Sequence, residues 1–270
     1  MVKSYLIQQE ATHCLLLGIA RSFCSSAKKS DRDLPYLAVV EDEQNILVTA
    51  IRTPPRKLIL SRAIAPEAVE AIARDLAIHS QSLPGVIAPK SEAQTFVNAW
   101  QDLTGQSCEL DFAMRVHQLK TVQPITSAAG KLKLAVESDR DLLTGWGRAF
   151  EEEALGDSEP KSDHQLWFNR HIKNKSLFVW QDRVGIVSMA AFGGATPNGI
   201  RINAVYTPPE YRGKGYATSC VAEISRQLSD RYKYCFLFTN LANPISNHIY
   251  HKIGYIPMCE IGNYSFTARK

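Results

Sequence analysis

The chain has 270 residues, of which 45% are hydrophobic, and its formal net charge is only +4. A chain of this length and composition can form one large domain or two modest ones, and we expect two. The basic residues are scattered, which disfavours a nucleic-acid-binding protein. No run is apolar enough for a membrane span, and the N-terminal segment lacks the apolar core of a signal peptide. We therefore expect a cytoplasmic protein that binds neither nucleic acid nor membrane.

The cysteine and histidine patterns do not indicate a metal centre. The six cysteines form no CxxC pair and have no histidine at a spacing suited to zinc, so we expect reduced thiols. His248 and His251 could share a helix face, but they lack a third ligand, and exposed polar side chains are the simpler interpretation. The sequence therefore predicts no metal site.

The N-terminal half alternates helical and strand-like segments. In chain order we predict the helix ATHCLLLGIARSF, the strands YLAVV, ILVTAI and KLILS, a helix beginning at Pro66, the short strand GVIA, a helix carrying Phe96 and Trp100, and the strand DFAMRVHQL. Small residues and turn formers in residues 121–130 predict a linker. We therefore divide the chain into domains 1–125 and 126–270.

The C-terminal half begins with the alternating strand pattern KLKLAVES. Ser138 and Asp141 then form the capping-box pattern of a helix start. Two strand-like runs, SLFVW and RVGIVSMAAF, are separated by Gln181 and Asp182, which predicts a hairpin.

A strand, a helix and a second strand follow from Gly199. The strand is GIRINAVY, and YCFLF is a continuous apolar run typical of a strand buried in a parallel pairing. The helix between them has one apolar stripe, formed by Ala217, Val221, Ile224 and Leu228. A right-handed crossover places the loop before this helix at the carboxyl end of the first strand, where open α/β sheets bind ligands.

That loop, YRGKGYAT, combines two glycines with Arg212 and Lys214. Glycines and the positive end of a helix suit a phosphate group, although a basic turn at the surface has the same composition. The Walker A pattern is absent, and Thr218 stands where a dinucleotide-binding fingerprint needs its third glycine. The loop alone leaves both interpretations open.

The last helix has clear ends. Asn243 is a good N-cap, Pro244 suits the first helical position, and Gly254 supplies a left-handed stop. YIPMCEIGNYSF then closes the chain as a strand. Tyr250 lies one residue beyond the apolar stripe of this helix, a position at which a tyrosine usually packs against the core.

Two motifs together resemble a known family. The first motif begins with Arg or Gln, continues with two residues of any kind, a Gly and one residue of any kind, and ends with Gly or Ala. The second motif is an Asn and, seven residues later, a Tyr, followed by a Gly and an aromatic residue. Their members here are Arg212, Gly215 and Ala217, then Asn243, Tyr250, Gly254 and Tyr255. In this order and separation they make residues 131–266 resemble a GCN5-related N-acetyltransferase domain, over about half the chain.

The resemblance implies an α/β fold with a mixed sheet, acetyl-CoA as acyl donor, and no metal. The pantetheine arm would pair with the backbone of Val205, Tyr206 and Thr207. The pyrophosphate would bind the loop residues Arg212, Gly213, Lys214, Gly215, Tyr216, Ala217 and Thr218. Asn240 and Asn243 would border the pantetheine and the thioester.

The resemblance also implies catalytic roles. Tyr250 would donate its phenolic proton to the departing thiolate, because a phenol is protonated at neutral pH. Many members carry a general base, a Glu, on the strand before the loop, where this chain has Asn203. A water chain could replace that base, or a carboxylate could serve, with Glu151, Glu152, Glu153 and Asp157 as candidates. The same acidic run would otherwise be a solvated helix end.

We therefore expect an N-acetyltransferase, acting as monomer or homodimer, in which an amine attacks acetyl-CoA directly. The alternatives are a non-catalytic acyl-CoA sensor or interaction module, and a transferase for a non-amine acceptor. The order of elements in residues 1–125 predicts a degenerate unit of the same fold in tandem. Its counterpart of the phosphate loop, LSRAIAPEAVEAIA, has no glycine and should not bind CoA in this way.

Overall fold

The computed structural model describes residues 1–25, 34–79, 83–154 and 162–267. The chain forms two compact units. Unit 1 comprises Met1–Val116, Thr239–Ala242 and Met258–Lys270, and unit 2 comprises His117–Phe238 and Asn243–Pro257. No helix in the described ranges is both long and apolar enough to cross a membrane.

The helices and strands alternate along the chain. In order they are α1 (Val2–Ile7), α2 (Cys14–Ser25), β1 (Tyr36–Glu41), β2 (Ile46–Arg52), β3 (Leu58–Leu60), α3 (Pro66–His79), β4 (Gly85–Pro89), α4 (Lys90–Thr104), β5 (Ser107–Leu119), β6 (Lys131–Leu134), α5 (Arg140–Ala154), α6 (His164–Lys173), β7 (Leu177–Asp182), β8 (Gly185–Gly193), β9 (Gly199–Tyr206), α7 (Tyr216–Ser229), β10 (Tyr234–Asn240), α8 (Pro244–Ile253) and β11 (Ile256–Thr267).

Unit 1 is a mixed sheet in the strand order β1-β2-β3-β4-β11-β5. The first three strands are antiparallel neighbours, and β3 runs parallel to β4 because helix α3 crosses between them. One face of the sheet packs against apolar side chains of α3 and α4, including Ile72 and Trp100. Leu6 and Leu17 pack with Ile51 in a separate cluster.

Unit 2 has the strand order β10-β9-β8-β7-β6. Strands β6 to β9 are antiparallel neighbours, and β9 runs parallel to β10 through the crossover helix α7. The apolar stripe of α7, including Val221 and Ile224, packs in one core cluster with Ile253 of α8. Leu143 of α5 and Phe168 of α6 belong to a second cluster. The sheet is therefore covered on both faces.

The two units repeat one order of elements. An antiparallel strand pair, a crossover helix, a parallel strand and a further helix occur as β2-β3-α3-β4-α4 and again as β8-β9-α7-β10-α8. The predicted mixed α/β fold is confirmed, and the repetition supports the predicted tandem arrangement.

Several local predictions differ from the structure. The hairpin turns at Arg183 and Val184, because β7 extends through Gln181 and Asp182. Helix α5 is preceded by a 3-10 turn in which the carboxylate of Asp139 accepts the N–H of Val136 (2.9 Å), so the capping pattern lies two residues earlier than expected. Helices α1 and α6 were not predicted.

The predicted linker, residues 121–130, makes hydrogen bonds within unit 2. The N–H of Gln123 donates to the carbonyl of Ile253 (2.8 Å), and the N–H of Ala128 donates to Ser219 Oγ (2.8 Å). This segment is therefore attached to the two helices that flank β10. The boundary between domains 1–125 and 126–270 stays a prediction.

Close packing at Gly199 gives a test of the β9–β10 contact. A Cβ at Gly199 would lie 2.2 Å from the ring of Phe236, which is fully buried. We expect Gly199→Ala to destabilise the protein by about 1–3 kcal/mol, since a buried ring must move. The matched control is Gly193→Ala, where a Cβ would meet no atom within 4 Å. Equal denaturation midpoints for both variants would contradict this packing.

Candidate functional site

Strand β9 separates from β10 partway along its length. The parallel register pairs Gly199 with Tyr234 and ends at the pair formed by Arg201 and Phe236, although β9 continues to Tyr206. Past that pair, the β10-facing backbone of β9 is an open strand edge that an extended ligand can pair with. Val205 and Tyr206 lie on this edge, and Thr207 follows it. These are the three residues that we expect to pair with the pantetheine arm.

A β-bulge in β9 changes which side chains face each helix layer. The register with β8 shifts between Met189 and Ala191, and Ala204 has a positive φ of 48°. Ile202 packs in the cluster of α7, whereas Ala204 and Tyr206 pack in the cluster of α5. The bulge thus reverses the alternation and interrupts regular pairing where β9 and β10 diverge.

The loop after β9 presents unpaired backbone donors. Gly213 and Gly215 have φ values of 77° and 78°, a left-handed conformation that favours glycine. The first main-chain bond of α7 is donated by Ser219 to the carbonyl of Gly215 (3.0 Å), so the N–H groups before Ser219 are not used inside the helix. Ala217 and Thr218 are half-buried in this first turn. The arrangement suits an anion.

Arg212 is held by an acidic side chain of α5. Its Nη2 lies 2.7 Å from a carboxylate oxygen of Glu153, and its Nε donates to the carbonyl of Thr207 (2.9 Å). The guanidinium also lies 5.8 Å from the ring centre of Tyr206. Because both charged side chains are about half exposed, this ion pair is weak and exchangeable.

Two further contacts fix the loop and the start of α7. The ammonium group of Lys214 donates a hydrogen bond to the backbone carbonyl of Glu210 (3.2 Å). The hydroxyl of Tyr216 donates to the carboxylate of Asp182 at the end of β7. This hydrogen bond lowers the pKa of Asp182 and raises the pKa of Tyr216, so the pair favours carboxylate and neutral phenol.

Helix α8 places Tyr250 in the core of unit 2. The side chain of Asn243 caps the helix by accepting the N–H of Ser246 (3.0 Å), and Gly254 ends it with a φ of 107°, as predicted. Tyr250 is 8% exposed, and its ring packs edge-on against Tyr255 at 5.9 Å. Burial raises the pKa of Tyr250 above its usual value, so the phenol stays protonated and can donate a hydrogen bond.

Asn240 belongs to unit 1, in contrast to the other predicted site residues. Its side-chain oxygen accepts the N–H of Ala242 (2.9 Å) in the turn that follows β10. This contact gives Asn240 a local structural role.

The predicted bases differ in their surroundings. Glu151 accepts hydrogen bonds from the N–H and Oγ of Ser162 (3.1 and 2.7 Å) and lies 3.0 Å from His164 Nε2. Glu153 is paired with Arg212, while Glu152 is exposed. Asp157 lies outside the described residues. Among the described side chains, no group of three His, Cys, Asp or Glu could hold a metal ion.

Comparison with known proteins supports the resemblance found in the sequence. Residues 183–261 match the family of FR47-like proteins. The structure is similar to a GCN5-related N-acetyltransferase from Sphaerobacter thermophilus (13% identity, 96% of this chain and 90% of that chain, TM-score 0.61). It is also similar to a GCN5-related N-acetyltransferase from Kribbella flavida (11% identity, 97% of this chain and 96% of that chain, TM-score 0.60). A Drosophila protein is similar as well (10% identity, 97% of this chain and 93% of that chain, TM-score 0.69). No curated protein matches the sequence.

The chain has the fold of the GCN5-related N-acetyltransferases. The open edge of β9, the glycine loop and helix α8 all belong to unit 2. Two contacts near the loop were not predicted: the ion pair between Arg212 and Glu153, and the hydrogen bond between Tyr216 and Asp182. Both join residues far apart in the chain, and no local pattern indicates them.

Proposed function

We propose that the protein transfers the acetyl group of acetyl-CoA to an amine. The observation that carries this proposal is the divergence of β9 and β10 beside a glycine loop whose backbone donors precede helix α7. One open strand edge and one anion-binding loop, adjacent in the chain, match the two polar parts of CoA, the amide-rich pantetheine and the pyrophosphate.

The residues present suit these two parts. The backbone of Val205, Tyr206 and Thr207 would pair with the pantetheine amides. The loop residues 213–218 would donate N–H groups to the pyrophosphate. Arg212 would add charge once it separates from Glu153, with which it now forms an exposed ion pair. Because both side chains are about half exposed, Arg212 can exchange Glu153 for the pyrophosphate without exposing a buried charge to solvent.

The chemistry requires a polarised carbonyl and a stabilised leaving group. Acetyl-CoA supplies an activated thioester, which a neutral amine can attack directly. The C–N bond would form as the C–S bond breaks, CoA would leave as a thiolate, and the proton lost by the amine would leave through a water chain or a carboxylate. Backbone N–H groups at the bulge of β9 would stabilise the oxyanion, and the protonated phenol of Tyr250 would donate to the departing sulfur. Because burial raises its pKa, Tyr250 is better suited to hydrogen bonding than to complete proton transfer.

Unit 1 would be a degenerate copy of the same fold that does not bind CoA. Its parallel strands also diverge, after the pair formed by Ile59 and Ile87. The backbone donors that follow are already used inside the unit. The N–H of Arg62 donates to His13 Nε2 (3.0 Å), and the N–H of Ala63 donates to a carboxylate oxygen of Glu92 (3.1 Å). An extended ligand would find these positions occupied.

A non-catalytic acyl-CoA sensor is the second candidate. Asn203 favours it, because the amide stands in β9 where a basic carboxylate would act, and an amide cannot accept the proton of an ammonium group. Binding of acetyl-CoA without release of CoA in the presence of small amines, peptides and aminoglycosides would support the sensor. Release of CoA with any of these amines would support the transferase.

Removal of Arg212 tests the pyrophosphate assignment. We expect Arg212→Ala to weaken acetyl-CoA binding by about tenfold or more in calorimetric titration, because charge-assisted hydrogen bonds to the phosphates are lost. Arg226→Ala is the matched control, since Arg226 is another exposed arginine in an ion pair, with Glu223. Equal affinities for wild type and Arg212→Ala would contradict the assignment.

Replacement of Glu153 tests the competition for Arg212. Glu153→Gln should bind acetyl-CoA about two- to fivefold more tightly at low salt, as expected for the loss of one exposed ion pair. The difference should shrink at high salt, where screening weakens the pair in the wild type. Glu223→Gln, the control, should leave the affinity unchanged. Weaker binding by Glu153→Gln would instead show that Glu153 orients Arg212 for the ligand.

Removal of the Tyr250 hydroxyl tests its role in the reaction. We expect Tyr250→Phe to lower kcat by about 10²–10³-fold with acetyl-CoA affinity unchanged, as measured by CoA release, because a hydrogen-bond donor to the leaving sulfur is lost. Tyr255→Phe is the control, since its hydroxyl bonds to Ser225 (2.9 Å) inside the core. That variant should lose about 1 kcal/mol of stability and keep its kcat. An unchanged kcat in Tyr250→Phe would remove Tyr250 from the mechanism.

A further inference from the structure

Arg201 is a half-buried cation with an unused donor. Its Nη1 is buried and has no hydrogen-bond partner in the described part of the chain. Buried donors in native proteins are almost always paired, and a charged donor is the most costly to leave unpaired. A missing partner at a guanidinium group therefore requires an explanation, and a bound anion provides one.

The neighbours of Arg201 hold the guanidinium in place without neutralising it. The group lies 5.9 Å from the ring centre of Phe238, on the adjacent strand β10. On another side it approaches Gly194, where an added Cβ would come within 3.1 Å of Nη2. An aromatic ring and a glycine position the group, but neither contributes an acceptor or a negative charge.

Arg201 lies where the proposed reaction site begins. It forms the last parallel pair with β10, at Phe236, so it marks the closed end of the gap between the two strands. Alternation along β9 puts Arg201 and Asn203 on the face opposite Ile200 and Ile202, which pack in the cluster of α7. Two residues of strand separate Arg201 from Asn203 by about 7 Å.

We propose that Arg201 binds a carboxylate of the acceptor, so that the acceptor is an amine that also carries a carboxylate, such as an amino acid. This inference rests on the proposed acetyl transfer. A guanidinium forks two parallel hydrogen bonds onto a carboxylate and so fixes its orientation. One guanidinium balances one negative charge, which matches a carboxylate better than a phosphate dianion. Arg201 is thus a specificity-determining residue.

The test compares amino acids with their amides as acceptors. Each pair shares its amine and side chain, so the ratio of kcat/KM for acid over amide isolates the carboxylate. We expect the wild type to prefer the acid of its best pair by about tenfold or more. Arg201→Gln should abolish the preference through loss of activity on the acid, while Arg201→Lys should retain part of it.

Arg231→Gln is the matched control, because Arg231 also lies near an aromatic ring, Tyr232, at 5.8 Å. The ratio of kcat/KM for acid over amide in Arg231→Gln should equal that of the wild type. Equal rates on acids and amides in the wild type, acetylation of carboxylate-free amines alone, or a preference that survives Arg201→Gln would each overturn the proposal. If Arg201→Gln does not fold, a ratio in Arg201→Lys equal to the wild-type ratio would overturn it.

Binding measurements separate this proposal from the proposed function. Acetyl-CoA titration tests the function, and Arg201 variants should bind acetyl-CoA normally. Titration of N-acetyl amino acids and their methylamides tests Arg201 without turnover. The wild type should bind the acids more tightly than the methylamides, and Arg201→Gln should bind both alike. Identical acid binding by wild type and Arg201→Gln would mean that Arg201 is a structural arginine.

Discussion

The end of the β9–β10 pairing at Arg201 and Phe236 is the constraint on which the rest of unit 2 depends. Parallel strands that stay paired leave no backbone donor available to a ligand. Here the ladder stops, the bulge at Ala204 reverses the side-chain faces, and the chain then turns into the glycine loop. One change of strand direction therefore produces both the open edge and the position of the loop at the start of α7.

Charge balance around the loop follows from the same geometry. The unpaired N–H groups before Ser219, the positive end of α7 and Arg212 all favour an anion. Without one, Glu153 supplies the negative charge through an exposed and therefore weak ion pair. Asp182 has a different role, since its hydrogen bond with Tyr216 ties α7 to β7. A weak exchangeable pair beside a fixed helix start is suited to a ligand that binds and leaves.

Much of this arrangement could be predicted from local sequence because local chemistry determines it. Asn243 and Gly254 marked the ends of α8, since few other residues cap a helix start or adopt the left-handed conformation that ends a helix. The bulge could not be predicted, because Ala204 adopts its positive φ without being glycine. The pair of Arg212 with Glu153 and the unpaired donor of Arg201 depend on tertiary packing, which local spacing does not encode.

The two units differ in whether side chains accept hydrogen bonds from the backbone where their parallel strands diverge. In both, parallel strands diverge and a crossover helix follows. In unit 1 the backbone N–H groups of Arg62 and Ala63 donate to side chains of the same unit. His13 is suited to accept one of these hydrogen bonds. Its Nδ1 donates to the carbonyl of Leu6 (2.9 Å), which leaves Nε2 to accept the N–H of Arg62, and burial lowers the pKa of His13 and so keeps it neutral.

The carboxylate of Glu92 accepts the next backbone hydrogen bond, from the N–H of Ala63 (3.1 Å). A ligand at this edge would have to displace two buried side chains and leave each without its partner, which costs more than the exchange of an exposed ion pair. In unit 2, by contrast, the carboxylate of Glu153 pairs with the exposed guanidinium of Arg212 and not with a backbone donor. The two units therefore share one order of elements and differ in the side chains that accept hydrogen bonds from the backbone where the parallel strands diverge.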